Sequence, residues 1–312
     1  MYTNGRKRRS VKMPVVFSAN IFFRILPYAF DMVDADSFPF LHIIPLRLYA
    51  WIRRTRLVVT WHEVWSRDFW IGYSKKIGRI GYWVEGLCAR ISDMNIANAS
   101  TTKALMEKEF GIRHDKTVVF PAAIDKDEIR AFIAKNRTKK RDQFIVISRL
   151  VSHKRVGLAI DAISKTDSKL IVVGEGPDLD ALKERASSLA AKGQVVFKKG
   201  LGTRELFREI AESKALIMPS EREGLSLVTL EALGLGTPVL VADTSSLPRE
   251  VRRYCLEAKE SKMGDALRKL SKDYASHAKQ DRETAAEVLE EFSGDRAGAV
   301  YSDIMRRLRG RA

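Results

Sequence analysis

The sequence predicts an α/β protein of two domains, each a parallel sheet flanked by helices. Three observations predict it. Short apolar runs with strand composition alternate with helical patterns along most of the chain. At 312 residues the chain has room for two cores, and its 45% hydrophobic content can fill them. The third is the stretch Met218–Asp243, MPSEREGLSLVTLEALGLGTPVLVAD. The apolar run ALIM ends at Met218 as a buried strand, PSEREG is a loop, LSLVTLEALGLG is a helix closed by glycine, and PVLVAD is the next strand. That order is a βαβ unit.

The elements follow in order. Residues 1–12 are polar and basic and read as a terminal arm. PVVFSANIFFRIL fits either a strand leading into a helix or one amphipathic helix. AFDMVDADSF reads as a strand ending in a polar loop, and LHIIPLRLYAWIRRTR as helical after Pro45. Leu57–Thr60 is a short buried strand with His62 and Glu63 just past its carboxyl end, where ligands of open α/β sheets gather. A long helix is expected between Tyr73 and Ser92. MNIANAS is a strand into a loop, TTKALMEKEFGI a helix with a Ser/Thr cap, and TVVFPAAID another strand and loop.

The charged, core-free stretch from Asn136 to Asp142, NRTKKRD, predicts the interdomain linker. The domains are therefore drawn as 1–138 and 139–292, with a terminal helix over 293–312. In the second, FIVIS is a strand, Arg149 and Lys154 lie in the following loop, and VGLAIDAI is a helix. Leu170–Val173 is a strand running into Gly174, Glu175, Gly176 and Pro177. The third glycine of a dinucleotide fingerprint is missing; the small residues either admit a nucleotide base or tighten the turn. QVVFKKGLGTRELFREI adds a strand and a helix, SSLPREVRRYCLEA a turn, short helix and strand. GDALRKLSKDYASHA and TAAEVLEEFSGDRAGAVYSDIMRRL are helices.

Within the central βαβ unit, Glu223 precedes the helix and Glu231 lies inside it, with seven residues between. At ~1.5 Å per helical residue they sit on the order of 10 Å apart. That spacing suits a ligand extended along the helix start. One carboxylate can accept hydroxyl hydrogen bonds from a sugar and the other from a ribose. Free N–H groups at Gly224, Leu225 and Ser226 can meet a diphosphate.

Glu223 and Glu231, flanked by Ser220, Gly224, Ala232, Gly236 and Pro238, resemble the donor-site signature of glycosyltransferase family 4. The resemblance implies the GT-B fold, two Rossmann-like domains facing a cleft, and a retaining transfer from a nucleotide-diphosphate sugar without a metal or cofactor. It implies that Arg149 and Lys154 hold the donor diphosphate; two fixed cations would also stabilise the departing nucleotide diphosphate. The Gly174–Gly176 turn is similar to the family's strand-Gly-x-Gly turn. Lys199, Gly200 and Leu201 take the position beside the nucleobase, and His62 that of a functional histidine near the transferred sugar, with Glu63 as its companion. Catalytic roles thus fall to His62, Glu223, Arg149 and Lys154. The helix from Ser293 is expected to return to the first domain. This sequence departs from the family in two places. No glycine-rich loop opens the first domain, Gly5 being the only glycine before Gly72, and Ala122 and Ala123 stand where Asn-Gly is usual. A reduced first domain is expected, and with it a degenerate or partner-dependent donor-binding subunit as the alternative to a complete enzyme.

The remaining features bound the partners. Lys and Arg number 55 against 39 Asp and Glu, a net charge of +16, which favours phospholipid head groups, nucleic acid or phosphorylated substrates. A glycan or lipid-linked acceptor from the cell envelope and an anionic membrane surface fit that charge; nucleic acid rests on charge alone. All five Trp lie between Trp51 and Trp83, as a stacking surface or as core and membrane-facing patch. Cys88 and Cys255 match no metal spacing and read as free, buried thiols of a reducing compartment. Asp34-Ala35-Asp36 spells a metal motif but reads as a strand-end loop. No apolar run reaches the roughly 18–20 residues of a transmembrane helix; the basic start followed by PVVFSANIFF faintly resembles a signal peptide, but Arg24 and Asp31 interrupt the apolar stretch and no small-residue cleavage site is clear, so it is not read as one. The expected location is the cytoplasm, peripheral at the inner face of the membrane.

Overall fold

The computed structural model describes residues 12–74, 77–120 and 123–309. The basic arm and Ala122 lie outside them. The chain divides into two compact units, Met1–Ala122 with Gly298–Ala312, and Ala123–Ala297.

The first unit runs α1 (Lys12–Ile25), β1 (Met32–Asp36), α2 (Ile43–Arg53), β2 (Arg56–Trp61), α3 (Arg67–Tyr73), α4 (Ile77–Ile91), β3 (Met94–Ala97), α5 (Ser100–Phe110) and β4 (Thr117–Val119). Its sheet is all parallel in the order β1-β2-β3-β4. Parallel strands are covered on both faces, and β2 and β3 are accordingly apolar and buried. One face packs Leu57, Val59 and Trp61 against Leu46, Met106 and Phe110. Buried Glu85 is held in this core because it accepts from the Trp65 N–H at 2.9 Å and from the Trp70 indole.

The second unit runs α6 (Lys126–Lys135), β5 (Gln143–Ile147), α7 (Val156–Ile163), β6 (Lys169–Val173), α8 (Leu179–Arg185), α9 (Ser187–Ala191), β7 (Val195–Lys198), α10 (Thr203–Glu212), β8 (Leu216–Met218), α11 (Leu227–Gly234), β9 (Val239–Ala242), α12 (Arg249–Arg252), β10 (Leu256–Ala258) and α13 (Met263–Glu291). A last helix, α14 (Gly294–Arg309), begins in it and passes into the first unit. The sheet order is β10-β9-β8-β5-β6-β7, again all parallel. The chain therefore starts in the middle at β5, adds β6 and β7 on one side, then returns to add β8, β9 and β10 on the other.

Several elements differ from the sequence reading. The units divide at 122/123, not within residues 136–142. Residues 123–138 belong with the second unit because Ile124 N–H donates to Phe292 O at 2.9 Å and Phe132 of α6 packs edge-on against Phe207. The 136–142 stretch is tied down too, with Lys140 Nζ donating to Ser213 O (2.7 Å) and Thr237 Oγ1 (2.9 Å). PVVFSANIFFRIL is one helix. Pro45 sits inside the first turn of α2, where its missing N–H costs nothing. The long helix expected between Tyr73 and Ser92 is α4, and a separate short helix, α3, precedes it. α5 is capped by Ala99, with Ser100 its first residue. Asp34 and Asp36 belong to β1 itself. Residues 263–291 form one helix, and the break falls at Phe292-Ser293.

Of the five Trp, Trp61 and Trp70 are core and Trp51 and Trp83 are exposed. Cys88 is buried and Cys255 half-buried. Burial pushes both thiols up to about 12, so neither is a ready nucleophile.

The end of α14 completes the first unit. Ile304 and Leu308 are buried with Val58, Met94 and Ile96, and the Tyr301 hydroxyl donates to Asp34 at 2.8 Å. Replacing Ile304, 1% exposed, with Ala should cost about 2–5 kcal/mol of stability. Chemical denaturation followed by tryptophan fluorescence would measure it; an unchanged midpoint would mean the helix is not part of this core.

Candidate donor site of the second unit

The reversal of strand order at β5 fixes where a ligand can sit. The loops after β5 and β8 leave the sheet from neighbouring strands but lead away to opposite sides, which opens a crevice at their carboxyl ends. Lys154 stands in the first of these loops and Glu223 in the second. Lys154 Nζ lies 2.8 Å from Glu223 Oε1, and the two side chains are only 14% and 11% exposed. A pair so sheltered is screened far less than a surface ion pair.

Backbone and hydroxyl bonds hold the two loops in place. Glu221 N–H donates to His153 O (3.0 Å), Ser246 N–H to Glu221 O (3.1 Å), and Glu223 N–H to Ser246 Oγ (3.0 Å). The loop after β6 is fastened on the other side. Leu150 N–H donates to Glu175 O (2.8 Å) and Asp178 N–H to Leu150 O (3.1 Å). This close approach is why Gly174 and Gly176 are glycines. A Cβ on Gly174, at φ +145°, would stand 1.9 Å from Ser148 O, and one on Gly176 would stand 2.2 Å from Leu150 O. This packing accounts for the turn-tightening reading of these glycines.

The electrostatics of the crevice are cationic. His153, in the single turn Ser152–Lys154, has its pKa lowered first by burial, then by the charges of Lys154, Arg149 and Arg222, against a smaller opposing effect of Glu223. One imidazole thus reports three positive charges. Arg155 is drawn away from this set, because Glu260 takes its guanidinium and Thr244 Oγ1 lies 3.1 Å from it. The Ser148 hydroxyl is buried here without a hydrogen-bond partner among the described residues.

On the Glu223 side, α11 begins at Leu227, two residues later than the pattern LSLV suggested, with Ser226 as N-cap in the left-handed region at φ 64°. Gly224, Leu225 and Ser226 therefore form the approach to the helix. Their N–H groups make no hydrogen bond among the described residues, and the Ser226 hydroxyl is paired with Thr229 Oγ1 at 2.8 Å. Glu231 lies one turn into the helix. Burial pushes its carboxyl upward, and the carboxylate of Glu128 adds to the effect. No hydrogen bond joins Glu231 to Glu223 or Lys154 among the described residues. Lys199, Gly200 and Leu201 follow β7, with Gly200 at φ +64°. Gly174 N–H donates to Lys198 O (3.1 Å), so this loop adjoins the β6 turn.

The structure thus gathers Lys154, Glu223 and Gly224–Ser226 at the crevice, with Arg149 close enough to bear on His153. It sets Gly174, Gly176 and residues 199–201 along one side and leaves Glu231 deeper on α11. His62 belongs to the first unit. It is exposed at the end of β2, with Nε2 2.9 Å from Asp36 Oδ1. Glu63 accepts from the Trp65 indole at 2.8 Å. Sequence reasoning missed His153, Arg222 and Ser246. The SHKR run carried a signal for His153; Ser246 carried none, because its partner Glu223 is distant in sequence.

Residues 125–286 match the profile of Glycosyl transferases group 1, and residues 2–128 that of Glycosyltransferase Family 4. The chain belongs to the glycosyl transferases group 1 family. Among curated relatives of the family, N-acetyl-alpha-D-glucosaminyl L-malate synthase of Bacillus anthracis is 26% identical over 176 residues, 52% of this chain and 45% of the relative. A GDP-mannose-dependent alpha-(1-6)-phosphatidylinositol monomannoside mannosyltransferase of Mycolicibacterium smegmatis is 32% identical over 123 residues, 36% of this chain and 32% of the relative. The chain thus spans less than half the length of each. Among solved structures, HepE of Anabaena in complex with UDP superposes with a TM-score of 0.74 at 18% identity, over 95% of this chain and 82% of that one. Sucrose-phosphate synthase of Thermosynechococcus elongatus superposes at 0.80 with 14% identity, over 99% and 82%. These likenesses show the fold: two Rossmann-like α/β units of the GT-B class. Every proposed donor-site residue from Arg149 to Glu231 falls inside the group 1 match.

The lowered pKa of His153 gives a pH signature. The unfolded chain binds this proton at the ordinary value near 6.5, the folded chain only at lower pH. As pH falls through 6.5 the unfolded state gains protons first, so stability declines until the folded value is reached. His153→Asn should remove part of that decline. Thermal melts of both proteins from neutral to mildly acidic pH would check it; parallel pH profiles would contradict it.

Proposed function

We propose that this member of the glycosyl transferases group 1 family is a glycosyltransferase that takes its sugar from a nucleotide-diphosphate donor held by the second unit. The observation that carries the reading is the Lys154–Glu223 pair across the β5/β8 crevice, beside the N–H groups of Gly224–Ser226. A diphosphate there would meet Lys154, Arg149 and the approach to α11, which together supply positive charge from three directions. Glu223 would accept hydroxyls of the transferred sugar. Glu231 would face a ribose, with Gly174, Gly176 and Lys199–Leu201 on the side of the base. His62 is proposed as a functional residue of the first unit. The relatives that bind UDP or use GDP-mannose support the donor class.

In the reaction proposed, the bond from the anomeric carbon to the diphosphate oxygen breaks as the acceptor oxygen bonds to the same carbon on the same face. The leaving phosphate takes the acceptor's proton and configuration is retained. Arg149, Lys154 and the α11 approach stabilise the charge that grows on the departing nucleotide diphosphate. No metal is assigned a part. The acceptor is proposed to be a cell-envelope or lipid-linked glycan, reached at an anionic membrane surface from the cytoplasmic side; net charge supports this.

Titration calorimetry with UDP, GDP and ADP, each with and without its sugar, tests the donor reading. One nucleotide diphosphate should bind clearly. Arg149→Ala and Lys154→Ala should each weaken it by about 1–3 kcal/mol, the loss of a charge-assisted bond. Binding of none of the three would overturn the reading. Tight binding without transfer to any acceptor would favour a donor-binding subunit that needs a partner polypeptide.

A further inference from the structure

Helices α1 and α2 of the first unit are each apolar on two faces. α1 buries Ser18 and packs Ile21 and Ile25 on the core, yet it exposes Val16, Phe17 and Phe23, the last at 70%. α2 buries Ile43, Leu46, Tyr49 and Ala50 and exposes Leu48, Trp51 and Ile52, with Trp51 at 76%. A helix that is hydrophobic all round is ordinarily covered all round. These second faces are exposed.

The two helices are neighbours. Phe17 packs edge-on against His42 at the start of α2. At the other end, Arg53 Nη2 donates to Leu26 O at 2.6 Å, and the Tyr49 hydroxyl donates to Tyr28 O at 2.9 Å. The carboxyl ends of both helices therefore lie together, and each end pairs exposed apolar residues with exposed arginine: Phe23 with Arg24, and Trp51 and Ile52 with Arg53 and Arg54. Neither helix contains an acidic residue.

We propose that the exposed apolar and basic residues at the adjoining carboxyl ends of these helices dock on an anionic lipid bilayer. Charge complementarity selects that occupant. The exposed cations flank bulky apolar side chains, as in helices that lie in the bilayer interface; exposed Trp favours the same depth, and the chain carries +16 overall. No helix among the described residues is long and apolar enough to cross a membrane, so the helices lie on the surface. The inference assigns residues to the membrane contact named in the proposed function, and rests on that reading only for its purpose. Binding itself requires no sugar donor.

The test uses the full chain and vesicles of equal parts phosphatidylcholine and phosphatidylglycerol, with pure phosphatidylcholine as control. The protein should sediment with the anionic vesicles at low salt, less at high salt, and little with the neutral ones. Tryptophan emission should shift to the blue, and less so in Trp51→Ala. The Phe23→Ala/Trp51→Ala pair and the Arg24→Glu/Arg54→Glu pair should each lower partitioning roughly ten-fold while leaving circular dichroism and nucleotide binding unchanged. Absence of binding to anionic vesicles at low salt would overturn the proposal, as would binding that both pairs leave intact. A dimer or a bound protein partner lost in the same variants, without vesicle binding, would overturn it in favour of a protein occupant. Calorimetry with nucleotides fails or succeeds separately, so the two readings can fall one at a time.

Discussion

The second unit depends on where β5 sits. Because the chain enters this sheet in the middle, its first loop and its fourth strand's loop become neighbours while their helices diverge. Strand order alone thus sets Lys154 beside Glu223 across 69 positions of sequence. Burial of β5, β6, β8 and β9 between helices leaves the ends of these strands as a place where polar side chains can converge without disturbing the core.

Holding several positive charges at one crevice opposes folding unless something offsets it. The structure answers in two ways. Glu223 partners Lys154, and His153 stays neutral at ordinary pH because burial and its cationic neighbours hold its pKa down. The rest of the restraint is backbone: Leu150 N–H donates to Glu175 O and Asp178 N–H to Leu150 O, which tie the β5 and β6 loops together. Loops tied in this way, with several positive charges and N–H groups that make no hydrogen bond among the described residues, are pre-organised for an anion, which is what a leaving diphosphate requires. The same logic of uncovered chemistry applies to α1 and α2, where apolar surface and arginine remain exposed together.

Much of this was legible in the sequence, for identifiable reasons. β5, β6, β8 and β9 are short Val/Ile/Leu runs bounded by turn residues, so their positions and those of Arg149, Lys154 and Glu223 beyond them could be read directly. Local pattern failed where tertiary contact decides. The 136–142 stretch looks like a linker by composition, but Lys140 reaches back to Ser213 and Thr237. Residues 123–135 look like the end of the first domain, but Ile124, Ile129 and Phe132 are buried in the second. The start of α11 was misplaced because Leu225 is apolar for core packing and not for helix period. Ser246 acts through a partner, Glu223, that no local pattern reveals.

The claim on which the account stands is that the crevice after β5 and β8 receives a nucleotide diphosphate. Hydrogen–deuterium exchange of the intact chain, with and without the nucleotide diphosphate that binds, tests it directly. Protection is predicted in 148–154, 174–176, 199–201 and 220–226, with the far end of the sheet unchanged. Protection confined to other segments, such as 253–296, would place the ligand elsewhere and contradict the account.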